Sequence, residues 1–167
     1  FITFNEFKTS SDLSKLNIVQ KQKFHVCIVA RFEKQKNYEL VRKILYWFDE
    51  NKIPLDILTD KVKELSEFLK VKEYEYVKVF CNETRSAQQL MRIASHHMLV
   101  SKSEGFANVN LEGLSQGCSL ICTAVGDSDK FPPNWCYIVE NNEIKLIKLL
   151  TKLKQAFDPN DFNKEHI

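Results

Sequence analysis

The chain has 167 residues, 44% of them hydrophobic and 28% charged, which suits one soluble globular domain with a core of its own. A formal charge of +2 is too small to demand nucleic acid as a partner, and the lysines are scattered along the chain rather than clustered with aromatics. No stretch approaches the run of about 20 apolar residues that a membrane-spanning helix needs, and the first residues, Phe1 to Lys8, lack the charged-then-apolar layout of a signal peptide.

Residues 1–23 show no sustained hydrophobic period and read as a linker or an edge segment packed on a domain of residues 24–167. The chain opens on Phe1 rather than Met, as a processed chain or a piece of a longer one would. Regular alternation follows. Residues 24–30 are a β-rich apolar run; residues 38–50 place Val41, Ile44, Leu45 and Phe48 on one helical stripe; residues 53–58 are again strand-like. The pattern continues with a helix over 61–70, a strand over 76–81, a helix over 84–95 with Ala87, Leu90, Met91 and Ala94 on one face, and a strand over 97–101. A helix over 108–116, strands over 119–123 and 135–139, and a helix over 143–157 with Ile147, Leu150 and Leu153 inward complete it. Strands alternating with helices predict a parallel sheet covered on both faces, because each crossover must return over the sheet. The expected fold is therefore α/β, a Rossmann-like doubly wound sheet in a single domain, whose ligand belongs beyond the carboxyl ends of the strands.

Two loops at that end carry chemistry. Between the strand ending at Val100 and the helix from Asn108, Glu104 sits in a turn and Glu112 in the second helical turn. Backbone N–H groups at a helix start suit a phosphate, and the carboxylates suit hydroxyl groups, so a ligand with both sugar hydroxyls and phosphates fits. In the loop after the first strand, Arg31 and Lys36 face the same crevice. A guanidinium can grip a diphosphate bidentately, and a nearby ammonium adds a compact positive charge. His96 and His97 are a poor metal pair, since adjacent strand side chains point to opposite faces, and no metal site is expected. The five cysteines contain no Cys-x-x-Cys pair and read as small core hydrophobes in a reducing, cytoplasmic compartment.

The stretch from Ser103 through Glu104, Gly105, Phe106, Ala107, Asn108 and on to Glu112 and Gly117 resembles the Glu-x7-Glu signature of the retaining GT-B glycosyltransferases of group 1. The segment from Ala30 and Arg31 to Lys36 and Asn37 resembles that family's Gly-Arg-x-x-x-x-Lys-Gly/Asn stretch, with Ala30 in place of the usual Gly. Thr59-Asp60-Lys61 stands where the family often has a Gly-rich turn, and Val100 and Cys118 where prolines are usual.

The resemblance implies the C-terminal, donor-binding domain of a GT-B enzyme. Glu104 would lie beside the donor hexose, and Glu112 would hold the ribose hydroxyls. Gly105 and the amides of Phe106, Ala107, Asn108 and Val109 would touch sugar and diphosphate, while Arg31 and Lys36 would stabilise the departing nucleoside diphosphate. The expected donor is a nucleotide-diphosphate sugar, with a UDP-sugar foremost, and no further cofactor. Implied partners are a missing N-terminal Rossmann-like acceptor domain and a glycan or lipid-linked acceptor, in surface polysaccharide assembly, with peripheral association at the inner face of the membrane. The alternatives are a non-catalytic nucleotide-sugar-binding or interaction module and a fragment of a GT-B-like sugar-nucleotide epimerase.

Overall fold

The computed structural model describes residues 21–81, 86–105, 107–126 and 128–160. Phe106, named above for its amide, lies outside them, as do most of residues 1–23. Lys21, from the stretch read as a linker or edge segment, is 1% exposed and packs on the domain.

Six strands form one sheet: β1 (Val26–Val29), β2 (Leu55–Leu58), β3 (Val77–Phe80), β4 (His96–Leu99), β5 (Ser119–Thr123) and β6 (Cys136–Val139). Their order is β3-β2-β1-β4-β5-β6, and each pairing is parallel. This is the doubly wound Rossmann-like arrangement, with the chain reversing its direction of progress between β1 and β4. Parallel sheets persist where both faces are covered, and both are. Helices α1 (Tyr38–Glu50), α2 (Val62–Leu69) and α5 (Glu143–Ala156) share one apolar cluster with Val26, Ile28, Ile57, Met98 and Ile121. Helices α3 (Ala87–Ile93) and α4 (Asn108–Ser115) cover the opposite face, packing on Cys27 and Leu58 and on Leu120 and Cys122. Successive residues such as Leu120 and Ile121 enter different clusters because strand side chains alternate between faces.

The predicted order of strands and helices is the observed one. The regular elements are a residue or more shorter at most ends: the first ladder begins at Val26 rather than Phe24, and α3 stops at Ile93, before Ala94 turns extended. On α5 the inward set is Leu146, Leu150 and Leu153; Ile147, expected inward, is only partly buried at the edge of the cluster. Local capping matches local sequence. Ser86 and Gln89 form a reciprocal capping box on α3, and Asn142 Oδ1 accepts the Lys145 amide at the start of α5. No helix among the described residues is long and apolar enough to cross a membrane.

Candidate functional site

The site begins with a gap in the sheet. β1 and β4 pair only through Val26–His96 and Cys27–His97, because the Val29 amide donates to His97 Nε2 at 3.1 Å instead of to a β4 carbonyl. The imidazole thus takes a ladder position where the backbone pairing of the two strands has ended, toward their carboxyl ends. Burial pushes His97 down to about 4 against a smaller opposing pull from Asn110, so the ring is neutral at pH 7 and Nε2 is free to accept. Asn110 Oδ1 and His97 Nδ1 are both buried without meeting hydrogen-bond geometry. Gly113 lets α4 lie against this ring: a β-carbon there would come 3.3 Å from His97 Cβ. His97 therefore helps set where the start of α4 meets the crevice.

A cavity of about 680 Å³ opens at these carboxyl ends. One wall comes from β1 and its loop and includes Arg31, Glu33 and Lys36; a second, from the end of β2, includes Leu58, Thr59 and Asp60; the third is Glu104 with Ala107, Asn108, Val109 and Glu112 of the α4 segment. Arg31, Lys36, Glu104 and Glu112, which the sequence singled out in two distant segments, thus line one cavity. Gly105 is exposed beside it and is not among the lining residues.

The two segments are also joined. Lys36 Nζ donates to Glu104 Oε1 at 2.5 Å, with side chains only 17% and 12% exposed. The Lys102 amide donates to the Gln35 carbonyl at 2.8 Å. Asn37 Nδ2 donates to the Val100 carbonyl and to Asn141 Oδ1, each at 3.0 Å. Asn37 holds a left-handed conformation, φ 60°, which Asn tolerates better than most residues, and this turns the chain from the short 3₁₀ turn Lys34–Lys36 into α1. Lys36 reaches the cavity from that turn, while Lys34 is exposed and does not line it.

The charged groups are held differently. Arg31 has a side chain 75% exposed, with Glu33 3.9 Å away, and Glu112 is exposed on α4. Asp60 Oδ1 accepts the Phe32 amide at 2.9 Å, tying the β2 loop to the β1 loop; that bond, first among several causes, lowers the carboxyl below its usual value. Tyr38 OH donates to the Ala30 carbonyl at 2.7 Å, and burial raises its phenol well above the usual value. Ala107, at the N-cap of α4, has no side-chain acceptor for the first-turn amides, which suits that helix start to an external acceptor.

Ser101, Thr123, Asp60, His97 and Gly126 were not picked out from the sequence as site residues. Gly126, at φ +57°, lies so close to the Glu104–Gly105 turn that a β-carbon would overlap the Gly105 carbonyl oxygen. A glycine in a polar loop is the only signal it leaves in the sequence. Among the described residues no group of three or more His, Cys, Asp or Glu side chains could hold a metal ion.

No protein-family model and no curated protein matches this sequence. Solved structures match its fold. The catalytic domain of starch synthase IV from Arabidopsis thaliana, bound to ADP and acarbose, superimposes with a TM-score of 0.69 at 14% identity, over 93% of this chain and 36% of that one. The catalytic domain of cholesterol-alpha-glucosyltransferase from Helicobacter pylori gives 0.61 at 16% identity, over 87% of this chain and 98% of that structure. The chain thus spans about a third of the starch synthase catalytic domain. In fold, it is a Rossmann-like domain of the GT-B type, as found in these glycosyltransferase catalytic domains.

Proposed function

We propose that this chain is the donor-binding domain of a retaining glycosyltransferase, holding a nucleoside-diphosphate sugar for hexose transfer to a glycan or glycolipid acceptor. The observation that carries the reading is the meeting of Arg31 and Lys36 with Glu104 and Glu112 around one cavity at the switch point of the sheet. That combination suits a ligand with anionic and hydroxyl parts. The neighbour solved with ADP agrees with the ligand class.

In this reading the diphosphate lies between the start of α4 and the two cations, and Glu112 accepts from the ribose hydroxyls. Lys36 has three N–H bonds, of which one goes to Glu104, leaving the others for phosphate oxygens. Arg31, exposed at the rim, closes on the diphosphate when it arrives. As the glycosidic bond breaks, negative charge gathers on the leaving diphosphate, where both cations meet it. Glu104 supports the hexose. The acceptor approaches the same face of the sugar from a second domain, and the donor is a UDP-sugar foremost.

Calorimetric titration of the chain with UDP-, GDP- and ADP-sugars tests the reading. Weak binding of one class is expected, because in this reading a second domain completes the cleft, and EDTA should leave it unchanged, because protein cations meet the phosphates. Absence of binding across the panel would remove the nucleotide-sugar reading. Binding lost to EDTA and restored by magnesium would overturn the assignment of the phosphate charge to Arg31 and Lys36.

A further inference from the structure

The two oxygens of the Glu104 carboxylate are not equivalent. Oε1 accepts from Lys36 Nζ at 2.5 Å and from Ser101 Oγ at 2.8 Å, whereas Oε2 receives no side-chain donor among the described residues. Ser101 is 1% exposed, and its backbone is held on both sides. Its own carbonyl accepts Thr123 Oγ1 at 2.6 Å, and the preceding carbonyl, of Val100, accepts Asn37 Nδ2. Thr123 is itself buried at the end of β5.

A carboxylate turns easily about its last torsion, whose energy wells are broad. Lys36 is a poor brace against that rotation, because its long flexible side chain is the group that must turn toward an incoming diphosphate. Ser101 is a better one: a short side chain, buried, neutral and fixed through its backbone to two neighbouring elements. We propose that Ser101 is a positioning residue which keeps Oε1 turned inward, so that Oε2 is the acceptor presented to a hexose hydroxyl of the bound donor. Thr123 supports Ser101 from behind. The inference rests on the nucleotide-sugar reading above and adds to it how the sugar, as distinct from the nucleotide, is recognised.

The test separates those two parts of the ligand. Wild type, Ser101→Ala, Ser101→Thr and Thr123→Val are titrated with UDP, GDP and ADP and with UDP-glucose, GDP-mannose and ADP-glucose, and thermal melts report folding. For the pair that binds, Ser101→Ala should leave the Kd of the bare diphosphate within about twofold and raise the ratio of sugar-conjugate Kd to diphosphate Kd by about tenfold, the size of one charge-assisted hydrogen bond. Ser101→Thr, which keeps the hydroxyl, should bring the ratio back toward wild type. Thr123→Val should move it in the same direction as Ser101→Ala by a smaller factor.

An unchanged ratio in Ser101→Ala, or equal weakening of diphosphate and conjugate, overturns the positioning role. If Ser101→Ala does not fold, an unchanged ratio in Thr123→Val overturns it equally. If wild type binds no member of the panel, the nucleotide-sugar reading falls and takes this role with it. That result is distinct from intact diphosphate binding with an unmoved ratio.

Discussion

The two ends of the sheet treat polar groups in opposite ways. At the amino end, buried polar side chains bond to backbone groups and to one another. Lys21 Nζ donates to the carbonyls of Met91, Arg92 and Gln116 at 2.6, 2.8 and 2.7 Å, capping the ends of α3 and α4. His25 pairs with Asp56 at 2.8 Å, and Ser95 Oγ, which accepts the His25 amide, contacts His96 Nδ1 at 2.8 Å. At the carboxyl end, Arg31 and Glu112 face an open cavity and spend little of their hydrogen-bonding capacity on the protein. A charge enclosed by its own partners holds the fold together, and a charge left facing a cavity is available to a ligand. Lys36 and Glu104 stand between the two cases, since they pair with each other at the cavity wall.

Replacing a residue at each end should separate stability from binding. The largest effect is expected at the amino end. Lys21→Met leaves three carbonyls without their ammonium and should lower unfolding free energy by about 3 kcal/mol or more, read by urea denaturation, while nucleotide affinity measured under folding conditions changes little. A stable Lys21→Met variant would show that α3 and α4 are closed by other means.

His97 should impose a pH dependence of similar size. Its folded pKa of about 4 lies below the usual 6.5, so between those values the unfolded chain binds more protons and stability falls as pH falls. The loss accumulates to about 3 kcal/mol by pH 4. His97→Gln keeps an acceptor for the Val29 amide and does not titrate. Its unfolding free energy should therefore fall less steeply than that of wild type over the same range, and parallel curves would refute the buried neutral imidazole.

At the carboxyl end, Arg31→Ala should cost about 2 kcal/mol of nucleotide-sugar affinity, roughly 30-fold, with the melting temperature unmoved. Arg31→Lys should recover only part of it, since an ammonium lacks the bidentate fork. Lys34→Ala is the control. If calorimetry finds Lys34→Ala as costly as Arg31→Ala, the diphosphate site must be redrawn. The smallest effect is expected for Glu112→Gln, which keeps the shape but loses the charge that makes a strong acceptor for ribose hydroxyls; a loss of about 1 kcal/mol in affinity is anticipated. A drop in melting temperature with unchanged affinity would place Glu112 with the closed, structural charges of the other end.

The order of elements was legible from sequence because each buries one face, and periods of two and of about 3.6 residues survive in any local window. The start of the last helix at Glu143 was equally local, whereas the helix read from residue 84 begins only after the Ser86 cap. Strand ends were less so. A ladder stops where its neighbour stops, and β1 leaves β4 after Cys27 because His97, 68 residues away from Val29, supplies an acceptor in place of the backbone.

Arg31, Lys36, Glu104 and Glu112 could be named from residue type, spacing and resemblance, and the alternating pattern alone placed their loops at one end of a sheet. The tertiary structure decided what those residues touch. Lys36 and Ser101 donate to Glu104, Thr123 donates to the Ser101 carbonyl, and Gly126 gives way to the Glu104–Gly105 turn. The Ser101 contact is local, three residues from Glu104; the other three could not be read from the chain, because each joins loops whose approach is fixed by strand order and helix packing, not by the sequence around either partner.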